Sequence, residues 1–331
     1  MTPPPQLVFI VGFARSGTTL LATLLGRHTQ IAATPETHFF DQVVPRAATP
    51  TDQNDLHTII GALLASPRVQ DLGLSMDDFA PLLDRKACSW RDVYSHALGL
   101  YAARNGARII AEKTPAHITK IPRILDWYPD AKIVHIVRDG RDAVLSLLRA
   151  PWTHSNLRRH ARNWRWCIKR MARFRQRYPE RILEIRYEEL LMDTENTLRD
   201  VSNFIGVGFE PNQLQPGAAI GPIPNWEAEW KEKASAELDP SRIQAWKQDA
   251  SVAQRWVMNS MMGRVLQENG YDDTSLADCP KLLRVKNEAV NTCFLIAYHP
   301  TLKPCFVVLK RAMRAIGLPT DQIDRPGQSS A

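Results

Sequence analysis

Gly12 and Gly17 bracket four residues in the run LVFIVGFARSGTT (7–19), which is the G-x4-G spacing of a phosphate-binding loop. Set between a buried strand and a helix, such a loop aims its backbone N–H groups and the positive end of the helix dipole at one point. That arrangement suits a phosphate. Ser16, Thr18 and Thr19 add hydroxyls, and Arg15 adds a cation inside the loop. The lysine that should follow the second glycine is absent, and Thr18 stands in its place. Arg138 and Ser146, eight residues apart, could grip a second phosphate, the guanidinium as a bidentate fork and the serine through its hydroxyl. Read alone, Arg138 pairs as readily with Asp139 or Asp142.

These residues need elements to carry them. Leu7–Val11 reads as a buried strand, and LLATLLG opens the helix after the loop. A second β-like run, Ala107–Ala111, precedes Glu112-Lys113-Thr114-Pro115, and a helix is expected over Ile118–Tyr128. KIVHIV (132–137) is an apolar, β-branched run that fits a buried parallel strand, and Arg138-Asp139-Gly140 leads from it into a helix from Asp142 to Leu148. A long basic helix follows over about 155–178. Arg181–Arg186 is the next strand candidate, before a helix over Thr194–Ile205. Strands alternating with helices predict an α/β fold with a doubly wound parallel sheet, in which ligands sit at the carboxyl ends of strands. Residues 45–105 read as a helical insertion. Residues 1–272 are expected to form one domain, followed by a C-terminal extension (273–331), helical in part and of no legible role.

Composition narrows the classes. The chain has 331 residues, 44% hydrophobic and 23% charged, which is ordinary for a globular protein. No apolar run approaches the 18 residues that a membrane span needs, and MTPPPQ lacks the charged and apolar regions of a signal peptide. Five dispersed cysteines without CxxC spacing argue against a disulfide framework or a zinc site and fit a reducing cytoplasm. The formal charge of +7 favours anionic ligands.

ARSGTTLL after the first strand and IVRDGRDAVLS after a later one together resemble the sulfotransferases that use 3′-phosphoadenosine-5′-phosphosulfate (PAPS). IRYEEL (185–190) and the segment around Trp246 are similar to that family too, and the likeness spans roughly residues 6–40 and 108–272. The resemblance implies a P-loop-type α/β fold and a hydroxyl-bearing acceptor: a small metabolite, lipid, glycan or tyrosine. It implies PAPS as co-substrate, without a metal. It assigns Arg15, Ser16, Gly17, Thr18 and Thr19 to the 5′-phosphosulfate, and Arg138 and Ser146 to the 3′-phosphate. Within the family the chain is most similar to the branch of tyrosylprotein and bacterial sulfotransferases, where a glutamate 21 residues after the loop arginine is the general base; here that is Glu36. From the residues alone, Glu36 would cap a helix beginning at Thr37. Lys113 matches the family lysine that stabilises charge on the leaving oxygen, with a surface pair to Glu112 as the ordinary alternative. His38 and His117 compete as base, although Pro115 occupies the position of the cytosolic branch's catalytic histidine.

Weaker assignments follow from the same resemblance. Tyr187 matches a tyrosine beside the adenine, and Ser241 and Lys247 flank Trp246 in an element that folds over the nucleotide. The branch's second 3′-phosphate arginine falls at Ala150, leaving Arg149 or no residue in that role. In the basic stretch 157–181, Leu157, Ala161, Trp164, Ile168, Met171 and Phe174 or Arg175 recur at helical spacing as a buried stripe, with the arginines on the solvated face. Neither nucleic acid nor stable membrane insertion is therefore expected, and the oligomeric state is left open. The rivals are a P-loop kinase or NTPase, which needs a loop lysine and an acidic Mg²⁺ ligand, and a basic nucleic-acid-binding protein.

Overall fold

Gln6–Gly12 (β1), Ile31–Ala33 (β2), Ile109–Lys113 (β3), Lys132–Val137 (β4) and Ile182–Arg186 (β5) form one five-stranded sheet in the order β2-β3-β1-β4-β5, with every pair parallel. The computed structural model describes residues 4–83, 88–153, 155–215, 238–271, 280–298 and 311. β1 and β4 are buried at all but their first residue, and β3 throughout, as expected of parallel strands covered on both faces. Register sets Ile10 beside Lys113 and Gly12 beside Ile136, so the carboxyl ends of β1, β3 and β4 are neighbours.

The expected α/β fold with a doubly wound, P-loop-type parallel sheet is what the chain adopts. Among the described residues of 45–105, helices Leu56–Leu64 and Trp90–Arg104 dominate, as the insertion predicted. Boundaries moved where backbone chemistry overrides periodicity. The helix expected over 118–128 splits into a 3₁₀ turn, Pro115–Thr119, and a helix, Ile121–Trp127, each with proline in its first turn. The first helix (α1, Thr18–Leu25) begins directly after Gly17.

The chain divides into two compact units, residues 1–138 with 170–240, and residues 139–169 with 241–331. The first holds the sheet. The second holds helices Gly140–Leu148, Val252–Glu268 and Lys281–Tyr298, and most of the basic helix Leu157–Arg177. On that basic helix Ala161, Trp164, Ile168 and Met171 are buried as predicted, while Phe174 is half-buried. Arg158 departs from the expected solvated face. It is buried, and its guanidinium donates to Asn291 Oδ1 at 2.6 Å and Asn287 Oδ1 at 2.9 Å on helix Lys281–Tyr298. That helix accounts for the described part of the C-terminal extension. No described helix is long and apolar enough to cross a membrane.

Candidate active site

In the first unit, the turn after β1 is shaped by what it touches. A Cβ on Gly12 would lie 2.8 Å from the Ile136 carbonyl oxygen, and one on Gly17 would lie 2.4 Å from the Tyr187 ring. Gly17 also has φ +97°, which L side chains rarely adopt. Arg15 is exposed and in the left-handed region as well, at φ 69°. Gly17 caps α1 without a side-chain hydrogen bond, and the first turn contains no acidic residue. The first intrahelical bond runs from the Leu21 N–H to the Gly17 carbonyl at 3.0 Å, so the N–H groups of Thr18, Thr19 and Leu20 have no acceptor within the helix. Ser16 is 1% exposed, and its buried Oγ has no hydrogen-bond partner. A bare helix terminus with an unsatisfied hydroxyl beside it fits an anion such as a phosphosulfate.

Arg138, just beyond β4, is braced against this loop. Its Nη1 donates to the Arg15 carbonyl at 3.1 Å, and its guanidinium stacks 4.3 Å from the centroid of the Tyr187 ring. Tyr187, which begins the helix after β5, thus supports both Arg138 and the close approach to Gly17. In the second unit, Asp139 pairs with Arg141 at 2.7 Å.

Glu36 and Lys113 meet at the ends of β2 and β3, with Lys113 Nζ donating to Glu36 Oε1 at 2.7 Å. Lys113 is 2% exposed, so its partner is Glu36 rather than the neighbouring Glu112, whose side chain is also buried. No helix begins at Thr37. His38 turns into the left-handed region at φ 50°, a short π-helical turn covers Phe39–Val43, and Glu36 points at lysine instead of capping. His38 lies between two carboxylates, Nε2 at 3.3 Å from Glu36 Oε2 and Nδ1 at 3.0 Å from Asp41 Oδ2. Burial alone would lower the His38 pKa, but the bonds to Asp41 and Glu36 outweigh it and raise it to about 9. At about 9, that pKa keeps His38 protonated at neutral pH. His117 is wholly buried. Two of the three described non-glycine residues with positive φ, Arg15 and His38, belong to this site.

In the second unit, Ser146 is half-buried on Gly140–Leu148. Ser241 and Lys247 are exposed on either side of the buried Trp246, and Arg149 is taken up by Asp249 at 2.9 Å. The reading of the sequence missed what holds this segment. The Asp142 carboxylate accepts the N–H groups of Gln244 at 2.9 Å and Trp246 at 2.7 Å, and Arg141 lies 3.9 Å from the Trp246 ring centroid. Asp142→Ala is expected to cost about 3 kcal/mol, since two charge-assisted bonds are lost and two amides stripped of their acceptor. Calorimetry should find the melting temperature lowered by roughly 4 °C.

Among the described residues there is no group of three or more His, Cys, Asp or Glu side chains arranged to hold a metal ion. Residues 5–211 match the model of a family described as the sulfotransferase family. A putative protein-tyrosine sulfotransferase of Caenorhabditis briggsae is 23% identical over 224 residues, covering 65% of this chain and 71% of the relative. The protein-tyrosine sulfotransferase of Drosophila melanogaster is 26% identical over 213 residues, or 61% of this chain and 38% of the relative, so this chain spans well under half of it. Among solved structures, a sulfotransferase domain from the curacin biosynthetic pathway covers 81% of this chain and 98% of its own length, with TM-score 0.56 and 21% identity. The sulfotransferase domain of a Synechococcus olefin synthase covers 81% and 96%, with TM-score 0.58 and 21% identity. At such identities the likeness to both structures is one of fold.

Proposed function

The chain belongs to the sulfotransferase family, and on that premise we propose that it transfers a sulfuryl group from PAPS to an acceptor hydroxyl, releasing adenosine 3′,5′-bisphosphate. The observation that carries this reading is the 2.7 Å contact between Lys113, at the end of the strand beside β1, and Glu36, beyond β2 on the far side of that strand, with the anion-ready loop at the end of β1. In the proposed step the acceptor oxygen attacks sulfur in line, and the bond from sulfur to the 5′-phosphate oxygen breaks. Glu36 takes the hydroxyl proton, and Lys113 with Arg15 meets the charge that builds on the leaving oxygen. The N–H groups at the start of α1, with the Ser16, Thr18 and Thr19 hydroxyls, hold the phosphosulfate. Arg138 holds the 3′-phosphate.

The spacing in the sequence adds Ser146 to the 3′-phosphate group, and the family resemblance adds Tyr187, Ser241 and Lys247 to the nucleotide. The acceptor is a metabolite, lipid, glycan or tyrosine hydroxyl, and the dispersed cysteines support a cytoplasmic setting. No metal is needed, because loop and cations neutralise the anion. To test the reading, radiolabelled PAPS is incubated with the protein and an extract of its source cells. Labelled products heavier by one sulfuryl group are expected. Absence of product, together with no binding of adenosine 3′,5′-bisphosphate, would overturn the proposal.

A further inference from the structure

Glu112 is a carboxylate with no exposed surface, one residue from Lys113, and the proposed chemistry does not use it. Its hydrogen bonds all lead in one direction. Oε1 accepts the Thr37 hydroxyl at 2.7 Å and the Thr114 hydroxyl at 2.6 Å, while Oε2 receives His117 Nδ1–H at 3.0 Å. Each of these three side chains in turn accepts one backbone N–H from the segment that follows Glu36. Thr114 Oγ1 takes that of His38 at 3.3 Å, Thr37 Oγ1 that of Phe39 at 3.3 Å, and His117 Nε2 that of Phe40 at 3.1 Å. Three successive amides thus converge through three side chains on a single carboxylate.

Proton positions follow from the chemistry of the groups. A backbone N–H can only donate, so His117 Nε2 carries a lone pair and the ring proton sits on Nδ1, facing Glu112. Asp41 Oδ1, 3.4 Å from the same Nε2, is too distant to compete. Thr37 gives its proton to Glu112, so the Tyr94 hydroxyl, 2.9 Å away, donates to Thr37 Oγ1. Burial alone would push the Glu112 carboxyl up, but His117 and the two hydroxyls outweigh it, and the net shift is downward. The hub is ionised, and every bond into it is charge-assisted.

We propose that Glu112 is a positioning residue for the transfer reaction, fixing the 38–40 backbone so that His38 stays in its left-handed turn between Glu36 and Asp41 and the base keeps its orientation. The inference rests on the reading of Glu36 as base, but its test does not require turnover. The probe is the titration of His38 in ¹³C-histidine-labelled protein, followed by NMR. Glu112→Gln keeps the shape of the side chain but leaves one acceptor oxygen, so its NH₂ must face either His117 Nδ1–H or the two threonine hydroxyls. Thr37→Val/Thr114→Val removes two spokes without altering any charge, and so separates positioning from direct Coulombic effects.

In both proteins the His38 midpoint is expected to fall by one unit or more from about 9, while affinity for adenosine 3′,5′-bisphosphate, held elsewhere by the loop, stays within threefold of wild type. A His38 midpoint within 0.3 unit of wild type in the threonine double variant would overturn the proposal. So would a loss of nucleotide affinity in parallel with the midpoint, because that reports general loosening. If Glu112→Gln does not fold, the neutral double variant decides. A wild-type protein that neither binds the nucleotide nor transfers sulfate would defeat the sulfotransferase reading, while the His38 comparison would still judge the hub.

Discussion

Glu36→Gln should slow sulfuryl transfer by about 10²- to 10⁴-fold, the usual contribution of a positioned general base. Affinity for adenosine 3′,5′-bisphosphate should not weaken, because the proposed nucleotide contacts lie on the loop and Arg138. The substitution keeps an oxygen for Lys113 but removes the negative charge from a buried ammonium, so melting curves must accompany the kinetics. It also removes one of the two carboxylates that make His38 an imidazolium. The linkage has a definite sign. The folded pKa of His38, about 9, lies above its ordinary 6.5. The stability it contributes is therefore complete below about pH 6.5 and is lost as pH rises through 9. Melting temperature against pH should show that alkaline decline in wild type, and a shallower one in Glu36→Gln. Retention of wild-type transfer by the variant would eliminate Glu36 as the base and reopen the assignment.

Arg138→Met should weaken adenosine 3′,5′-bisphosphate binding by roughly 10- to 100-fold, the equivalent of one or two hydrogen bonds from a charged group to phosphate. The guanidinium also braces the Arg15 carbonyl, so part of the loss could pass through the loop. Calorimetric titration with adenosine 5′-phosphate, which lacks the 3′-phosphate, separates the two effects. Most of the loss should disappear for that ligand. An equal loss for both nucleotides would confine Arg138 to supporting the loop. Arg138→Lys should recover little, since an ammonium provides neither the fork nor the stacking on Tyr187.

The loop, the strand cores and Arg138 were legible because their signals are local. A buried parallel strand reads as a continuous apolar run, and its glycines mark where the backbone must turn or be approached closely. The proposed role of Glu36 came only through resemblance, since on local chemistry Glu36 passes for a helix cap. Glu112 escaped notice for a different reason. A Glu-Lys dipeptide at the end of a strand looks like a surface pair, yet successive side chains point to opposite faces. Lys113 turns toward Glu36, while Glu112 turns beneath the 37–40 segment, which only pairing of β2 with β3 brings there. Asp142 was hidden in the same manner, its backbone partners lying about a hundred residues away.

β2 and β3 are adjacent rungs of the sheet, yet the chain wanders from residue 34 to residue 108 between them. Among the described residues, the two margins of that excursion are tied to the site, Glu36 to Asp41 at its start and Tyr94 near its end. The pairing of β2 with β3, rather than the length of the excursion, keeps Glu36 within reach of Lys113.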